Sequence, residues 1–282
     1  MNYRHAFHAG NFADVVKHAA LARIITHLKE KPAAFRVIDT HAGAGLYDLS
    51  GPEASRTGEW RAGIGRLLAA ELAPDTRALL GPYLDAVVAL NPGRDMKVYP
   101  GSPALAQSLL RDQDRLMVCE REPQAAHALA TLVRGDPRAK AVEIDGYTAL
   151  NAYVPPKERR GLVLIDPPYE QPGEFERLVQ ALTAAHRKWP TGIYALWYPI
   201  KNLRETAAFA RRLAASGIAR VLRAELTLAR ADSERLGGSG LIVVNPPWRL
   251  DEELSALLPA LSRALGAAPA GATRLDWLVP PV

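Results

Sequence analysis

This sequence predicts an α/β fold: a mostly parallel, doubly wound sheet with a small helical subdomain inserted after the first strand. Three observations lead there. Short apolar runs alternate with helical stretches along most of the chain. Four of the runs end in an acid, at Asp39, Glu120, Asp145 and Asp166. The alternation breaks once, between Tyr47 and Tyr99.

The elements follow in order. The opening, to about Lys31, reads as a loop followed by a helix. Asn11 can cap that helix, and Val15, Val16, Ala19, Leu21, Ala22, Ile24 and Ile25 give it a wide apolar face. Phe35 to Asp39 reads as a strand running into Thr40-His41-Ala42-Gly43-Ala44-Gly45. A strand that ends in an acid and a glycine-rich turn is the first half of a nucleotide-type cofactor site. Such a unit places its next acid about 20 residues beyond the glycines. Here the next strand-terminal acid is Glu120, after Leu116-Met117-Val118-Cys119, much too far from Gly45. The conflict disappears if the helix of the unit is Ser102 to Leu110, with Ser102 as N-cap and Pro103 as the first helical residue. The expected organisation is then one domain from 1–46 and 100–282, with 47–99 as an inserted helical subdomain. Helical patterns at Ile64–Leu72 and Thr76–Leu90 support the insert.

Beyond Glu120 the alternation resumes. A helix is expected over Pro123–Arg134, and a strand near Ala141–Ile144 closes at Asp145-Gly146. The Gly161–Ile165 strand ends at Asp166 and a helix follows over Glu174–Lys188. Gly192–Pro199 reads as a strand and Leu203–Ala215 as a helix. Ala219–Leu228 and Gly240–Asn245 read as a closing strand pair, with an antiparallel arrangement open to them. Ligands of such sheets bind at the carboxyl ends of the strands, where all four acids fall.

Asp166-Pro167-Pro168-Tyr169 is the most informative tetrapeptide. An exocyclic amine on a nucleobase is a poor nucleophile because its lone pair is delocalised into the ring. Hydrogen bonds from its two N–H groups to fixed acceptors pull the nitrogen toward sp3 geometry. Asp166 offers a carboxylate and Pro167 a backbone carbonyl. Consecutive prolines stiffen the mouth, and Tyr169 offers a face for stacking. Taken alone, the same four residues also suit a rigid turn ending a strand.

Composition sets limits. A chain of 282 residues suits one large α/β domain or one domain with an insert, and 48% hydrophobic residues suffice for a sizeable core. No apolar stretch is long enough to span a bilayer, and Met1–Lys17 lacks a signal-peptide core, so a cytoplasmic protein is expected. The single Cys119 excludes a disulfide framework or a zinc cluster. A formal net charge of +5 agrees with a polyanionic partner without establishing one. Pro155–Arg160 is a polar connector whose basic end can also touch phosphate. Oligomeric state is not legible; a monomer is the default.

Further motifs carry a resemblance. The opening Tyr3-Arg4-His5-Ala6-Phe7-His8-Ala9-Gly10-Asn11-Phe12-Ala13-Asp14-Val15-Val16-Lys17-His18 closely resembles that of the RlmJ family. So do Asp39 to Gly45, Tyr99-Pro100-Gly101-Ser102-Pro103, Glu120-Arg121, Asp145-Gly146, Asp166 to Glu170 and Asn245-Pro246-Pro247-Trp248. The likeness spans the whole chain, insert included. It implies a class I methyltransferase (Rossmann-like) fold and S-adenosyl-L-methionine as cofactor. It implies methylation of adenine N6 in 23S rRNA, at position 2030, with the base flipped into the Asp-Pro-Pro-Tyr pocket. By resemblance Asp166 is the catalytic acceptor, and His18, His41, Ser102, Glu120, Asp145, Gly146 and Asp166 bind the cofactor. Tyr3 and Tyr169 would then meet the RNA, and no metal is required.

Roles within that frame follow from chemistry. Glu120 is expected to accept from the ribose hydroxyls and Asp145 from the cofactor adenine amine, while Gly43 and Gly45 let the backbone pass close to the methionine part. Capping of the next helix is the alternative for Glu120 and Asp145. Lys17 has three readings open: phosphate, the cofactor carboxylate, or solvent. His5 and His8 lack the company a metal site needs and read as packing or RNA contacts. His27, His127 and His186 read as surface or packing residues, and Trp60, Trp189, Trp197 and Trp277 as packing aromatics. Asn245–Trp248 reads as a turn ending the sheet, with the substrate side as an option. Three alternatives stay open: guanine N2 of rRNA as target, adenine in DNA, or a non-catalytic RNA-binding protein on the same scaffold. The turn lacks a complete Gly-x-Gly-x-x-Gly because position 48 is Asp, which disfavours a nicotinamide oxidoreductase.

Overall fold

The computed structural model describes residues 5–93, 95–228, 236–266 and 272–281. Its strands, in chain order, are β1 (Arg36–Asp39), β2 (Leu46–Asp48), β3 (Val98–Pro100), β4 (Arg115–Glu120), β5 (Ala139–Glu143), β6 (Gly161–Ile165), β7 (Ile193–Ile200), β8 (Val221–Thr227), β9 (Gly238–Val244) and β10 (Thr273–Val279). The helices are α1 (Phe12–Lys29), α2 (Pro52–Thr57), α3 (Arg66–Ala69), α4 (Pro74–Ala89), α5 (Ser102–Leu109), α6 (Pro123–Leu132), α7 (Gly146–Tyr153), α8 (Glu174–Lys188), α9 (Leu203–Ala214) and α10 (Leu250–Ala264).

Eight strands form one sheet in the order β10-β8-β9-β7-β6-β1-β4-β5. The run β7-β6-β1-β4-β5 is parallel, and β9 reverses direction against both β7 and β8. The expected doubly wound sheet is therefore present. The closing pair is antiparallel, and β10 adds a further antiparallel strand beside β8 that the sequence reading does not assign.

Strand periodicity divides the core into two layers. Val37, Leu116, Val118, Leu162 and Leu164 face one side, where α1, α4, α5 and α10 pack. Ile38, Met117, Cys119, Val163 and Ile165 face the other, with α7, α8 and α9. Successive side chains of a strand point to opposite faces, so a parallel strand covered on both sides is apolar at every position, as β6 is.

Asn11 caps α1 as expected: its side-chain oxygen accepts the Ala13 and Asp14 N–H groups at 3.0 and 3.1 Å. The helix is buried from Ala13 through Ile25, enclosed by the sheet, α4, α5 and α10. An enclosed helix must be apolar on all sides, and its buried polar residues must be paired. Arg23 accordingly donates twice to Glu253 of α10, at 2.8 and 2.6 Å, and His27 lies 3.1 Å from the same carboxylate.

The insert begins and ends on an antiparallel ribbon, β2 against β3, with Leu46 opposite Pro100. The ribbon returns the chain to its point of departure, which is why α5 can stand where the helix of the glycine turn is expected. Ile64, Leu67, Leu80, Tyr83, Leu84 and Val87 of the insert share the core that contains α1. We propose the division into 1–46 with 100–282 and 47–99 as one of connectivity; in packing, the inserted helices extend the main core.

Burial works to raise the Glu253 carboxyl, but His27 and Arg23 outweigh it and hold it at about 2. The folded value lies below the unfolded one, so the contribution of Glu253 to stability is present above pH 4.5 and is lost as pH falls toward 2. Glu253→Gln is expected to cost about 2 kcal/mol in urea unfolding at pH 7, with the difference from wild type shrinking in the acid range. An equal loss at both pH values would contradict this account.

Candidate active site

β1 lies between β4 and β6, and the winding of the sheet reverses there. Reversal leaves a crevice outside the carboxyl ends of the strands. The glycine turn that follows β1 enters it with Gly43 at φ +62° and Gly45 at φ +81°. A Cβ on Gly43 would lie 2.2 Å from the Tyr47 hydroxyl, so the turn requires glycine on both counts. Glu120, at the end of β4, straps this turn down. Its Oε2 accepts the Gly43 N–H at 2.8 Å, while Oε1 accepts those of Arg121 and Glu122 at 2.7 and 2.8 Å. Asp145 caps α7 by accepting the Thr148 N–H at 3.0 Å, the capping alternative raised above. Gly146 follows at a close approach: a Cβ there would meet Thr40 O and His41 Nε2 at 2.4 Å.

Ser102 departs from expectation by one position. Gly101 is the N-cap of α5, and Ser102 is the first helical residue. Its hydroxyl does not cap; it donates to Asp39 Oδ2 at 2.6 Å. A buried carboxylate at the end of β1 is the stronger acceptor, and Gly101 is held in register by donating its own N–H to Gly45 O at 2.9 Å. Burial raises the Asp39 carboxyl to about 7, with the charge of Asp166 acting in the same direction and Ser102 against it. His41 is pulled down to about 4 by burial and is therefore neutral at pH 7; its ring meets the Tyr147 ring edge-on at 5.4 Å.

The tetrapeptide after β6 opens to the surface. Pro168 is exposed, Tyr169 is half-buried, and the Asp166 side chain retains 14% of its accessibility. Tyr169 adopts a left-handed backbone (φ +53°), uncommon for a side chain of this size. It is held there by its hydroxyl, which donates to Trp197 O at 2.6 Å, and by Trp197 and Phe175 with ring centroids at 5.8 and 5.1 Å. Trp197, read from sequence as packing, is thus part of the site wall.

Lys17 resolves outside its three sequence readings. Its ammonium lies 2.5 Å from Asp166 Oδ2 and 2.9 Å from Asp14 Oδ1, with 5% of the side chain accessible. Burial opposes its charge, yet the two carboxylates outweigh that and raise Lys17 well above the ordinary lysine range. Asp14 is held well below the usual carboxylate range by His5 and Lys17 against the same penalty, and also accepts the Gly10 N–H at 2.9 Å. The Asp14–Lys17 spacing of three suggests a helical pair from sequence alone. The link to Asp166 spans 149 residues and has no local signature.

The histidines separate. His5 lies 2.9 Å from Asp14 and His8 3.0 Å from Glu59, and among the described residues no group could hold a metal ion. His18 is buried in α1, with Nδ1 2.7 Å from the Tyr99 hydroxyl and Nε2 without a hydrogen-bond partner among the described residues. Tyr3 lies outside the described residues. Asn245–Trp248 does not reach the substrate side. Because β9 is antiparallel to β7, its carboxyl end lies at the amino end of β7; Asn245 donates there to Pro190 and Gly192 carbonyls, and Trp248 is 84% exposed.

Comparison with known proteins finds relatives along the whole chain. A family model described as ribosomal RNA large subunit methyltransferase D, RlmJ, matches residues 32–279. The chain is 42% identical to the ribosomal RNA large subunit methyltransferase J of Escherichia coli K12, with 99% of both chains covered. It is 38% identical to the protein of the same name from Haemophilus influenzae, again over 99% of each. A crystal structure of a Legionella pneumophila protein superposes with a TM-score of 0.88 at 34% identity, covering 96% of this chain and 98% of that one.

Replacing Lys17 with Met leaves Asp166 without its cation and Asp14 with the His5 ring, 2.9 Å away, in place of an ammonium. Lys17→Met is expected to cost about 3–5 kcal/mol in urea unfolding, because removing one partner strands a buried charge. Adding Asp166→Asn should recover part of that loss. A cost below about 1 kcal/mol would show that the pair does not hold α1 to the tetrapeptide.

Proposed function

This chain belongs to the RlmJ family of ribosomal RNA large-subunit methyltransferases, and from that premise we propose that it transfers a methyl group from S-adenosylmethionine to the N6 amine of an adenine in 23S rRNA. The observation that carries this reading is the state of Asp166: an accessible carboxylate with Oδ2 clamped by Lys17, beside a tyrosine ring pinned through its hydroxyl.

The crevice suits the cofactor on its own terms. Gly43, Gly45 and Gly146 let the turn and the start of α7 pack tightly at the strand ends, where a Cβ would strike Tyr47, Leu132, or Thr40 and His41, and His18 offers a buried nitrogen that is unpaired among the described residues. Carboxylates stand at the strand ends. Glu120 Oε1 is filled by two N–H groups, but Oε2 accepts one and keeps a lone pair for a ribose hydroxyl, and Asp145 Oδ2 is open to the adenine amine among the described residues. His41 and Ser102 complete the set of proposed cofactor residues, with Gly146 passing under the ring edge.

The cofactor supplies a methyl group already activated on a sulfonium, so the protein's task is placement. Lys17 occupies Oδ2 of Asp166 and fixes the carboxylate plane. Oδ1 and the Pro167 carbonyl then accept the two N–H groups of the target amine and direct its lone pair at the methyl carbon. Tyr169 stacks on the flipped base, and Tyr3 is the second proposed RNA contact. Forming the N–C bond would break the S–C bond and release the sulfur as a neutral thioether; the methylated nitrogen would then be acidic, so its proton would pass to Asp166 Oδ1 and on to water, and no strong base is required.

Naked 23S transcript incubated with labelled cofactor should yield N6-methyladenosine at a single nucleotide by nucleoside mass spectrometry. N2-methylguanosine, or no product on RNA, would overturn the assignment. Asp166→Ala should stay folded, since Lys17 keeps Asp14 at 2.9 Å, and should lose on the order of 10³-fold in turnover; near-normal turnover would contradict its role. Glu120→Ala should weaken cofactor binding roughly tenfold in calorimetry, about 1.4 kcal/mol, and an unchanged dissociation constant would count against the ribose contact.

A further inference from the structure

A chain of three buried rings links the insert to α1. The Tyr83 hydroxyl on α4 lies 2.9 Å from the Tyr99 hydroxyl on β3, which lies 2.7 Å from His18 Nδ1. His18 stacks on Tyr99, centroids 5.6 Å apart and planes 24° apart, and meets Tyr83 edge-on. All three side chains are sealed from solvent. Burial pulls His18 down to about 3 and pushes both phenols up, so the three rings are neutral at pH 7.

A neutral imidazole has one N–H, and the polar count decides which nitrogen carries it. In one arrangement Tyr83 donates to Tyr99, Tyr99 donates to Nδ1, and the proton sits on Nε2. One buried group then lacks a partner, the Nε2 N–H. In the reverse arrangement Nδ1–H donates to Tyr99 and Tyr99 to Tyr83. The Tyr83 hydrogen then meets nothing among the described residues, and Nε2 is a bare acceptor, so two groups are stranded. Each unpaired buried polar group costs about 1–3 kcal/mol, so the first arrangement prevails.

We propose that Tyr99 is a positioning residue whose hydroxyl fixes His18 as the Nε2–H tautomer, presenting a buried neutral donor to the carboxylate end of the cofactor. The first half stands on the geometry alone; the second rests on the methyl-transfer reading given above. His18 directly follows Lys17 in α1, and the Lys17 ammonium is the group that meets Asp166. A neutral N–H takes an acceptor and offers nothing to an ammonium or a sulfonium. The carboxylate is the one anion of S-adenosylmethionine. The polar core of the insert would thereby set which ligand group can enter the crevice beside α1.

The test uses the full chain with ¹⁵N-labelled histidine and long-range ¹H–¹⁵N spectra, the His18 signal being assigned with His18→Gln. Wild type and Tyr83→Phe should both show Nε2–H, because Tyr99 keeps its donor in each; Tyr99→Phe should give a tautomer mixture. An Nδ1–H imidazole in the wild type, or an unchanged spectrum in Tyr99→Phe, overturns the inference. In calorimetry, Tyr99→Phe should weaken S-adenosylhomocysteine about tenfold and leave 5′-methylthioadenosine, which keeps ribose and base but lacks the carboxylate, unaffected. Equal weakening of both ligands would mean a merely structural role and overturn the ligand half. If wild type binds neither, the methyl-transfer reading fails with that half, while the spectra still decide whether Tyr99 sets His18.

Discussion

The Lys17 ammonium, shut inside the protein between Asp14 and Asp166, is the interaction on which the site depends. An ammonium this far from water is tolerable only with carboxylates against it, and each carboxylate is tolerable only with its cation. The three groups therefore hold one another in place. Asp14 and Lys17 are rigid because α1 is enclosed on all sides. Asp166 is rigid because it closes a strand buried at every position and precedes two prolines. The pair thus joins the most deeply packed helix to the mouth of the crevice, and it orients a carboxylate without sealing it.

Sheet topology explains why the other groups arrive at the same place. Five parallel strands deliver their carboxyl ends to one edge, and reversal of the winding at β1 opens a gap there. Glu120 uses that placement to anchor the glycine turn, and Asp39 uses it to hold Ser102. The β2–β3 ribbon allows a helical insert without displacing α5, because it brings Leu46 back beside Pro100. The insert also contributes the buried hydroxyls of Tyr83 and Tyr99, the first bonded to the second and the second to His18. It is connected as an excursion and packed as part of the core.

Several residues show where sequence reasoning reaches its limit. Asn11 as a cap is legible because a cap is a local event: one side chain and the two N–H groups that follow it. Ser102 fails by one residue because its hydroxyl has a choice, and the better acceptor is Asp39, which is 63 residues away. Asn245–Trp248 has the composition of an amine-binding turn but sits at the other end of the sheet, since strand direction reverses at β9. The unassigned helix α10 is by contrast a local pattern, with Leu250, Leu254, Leu257, Leu258 and Leu261 at helical spacing.

The sequence by itself determined the alternation of strands and helices, the acids that end four strands, the glycines of the turn and the stiff Asp-Pro-Pro-Tyr mouth. These follow from side-chain period, backbone φ and local hydrogen bonding, all of which act over a few residues. Tertiary structure alone decided that Lys17 meets Asp166, that Glu120 spends its oxygens on three backbone N–H groups, that Trp197 walls the site, and that His18 ends a chain of tyrosines. Those contacts join residues far apart in the chain. They exist because a charge or a polar atom removed from water must find its partner wherever folding has placed one.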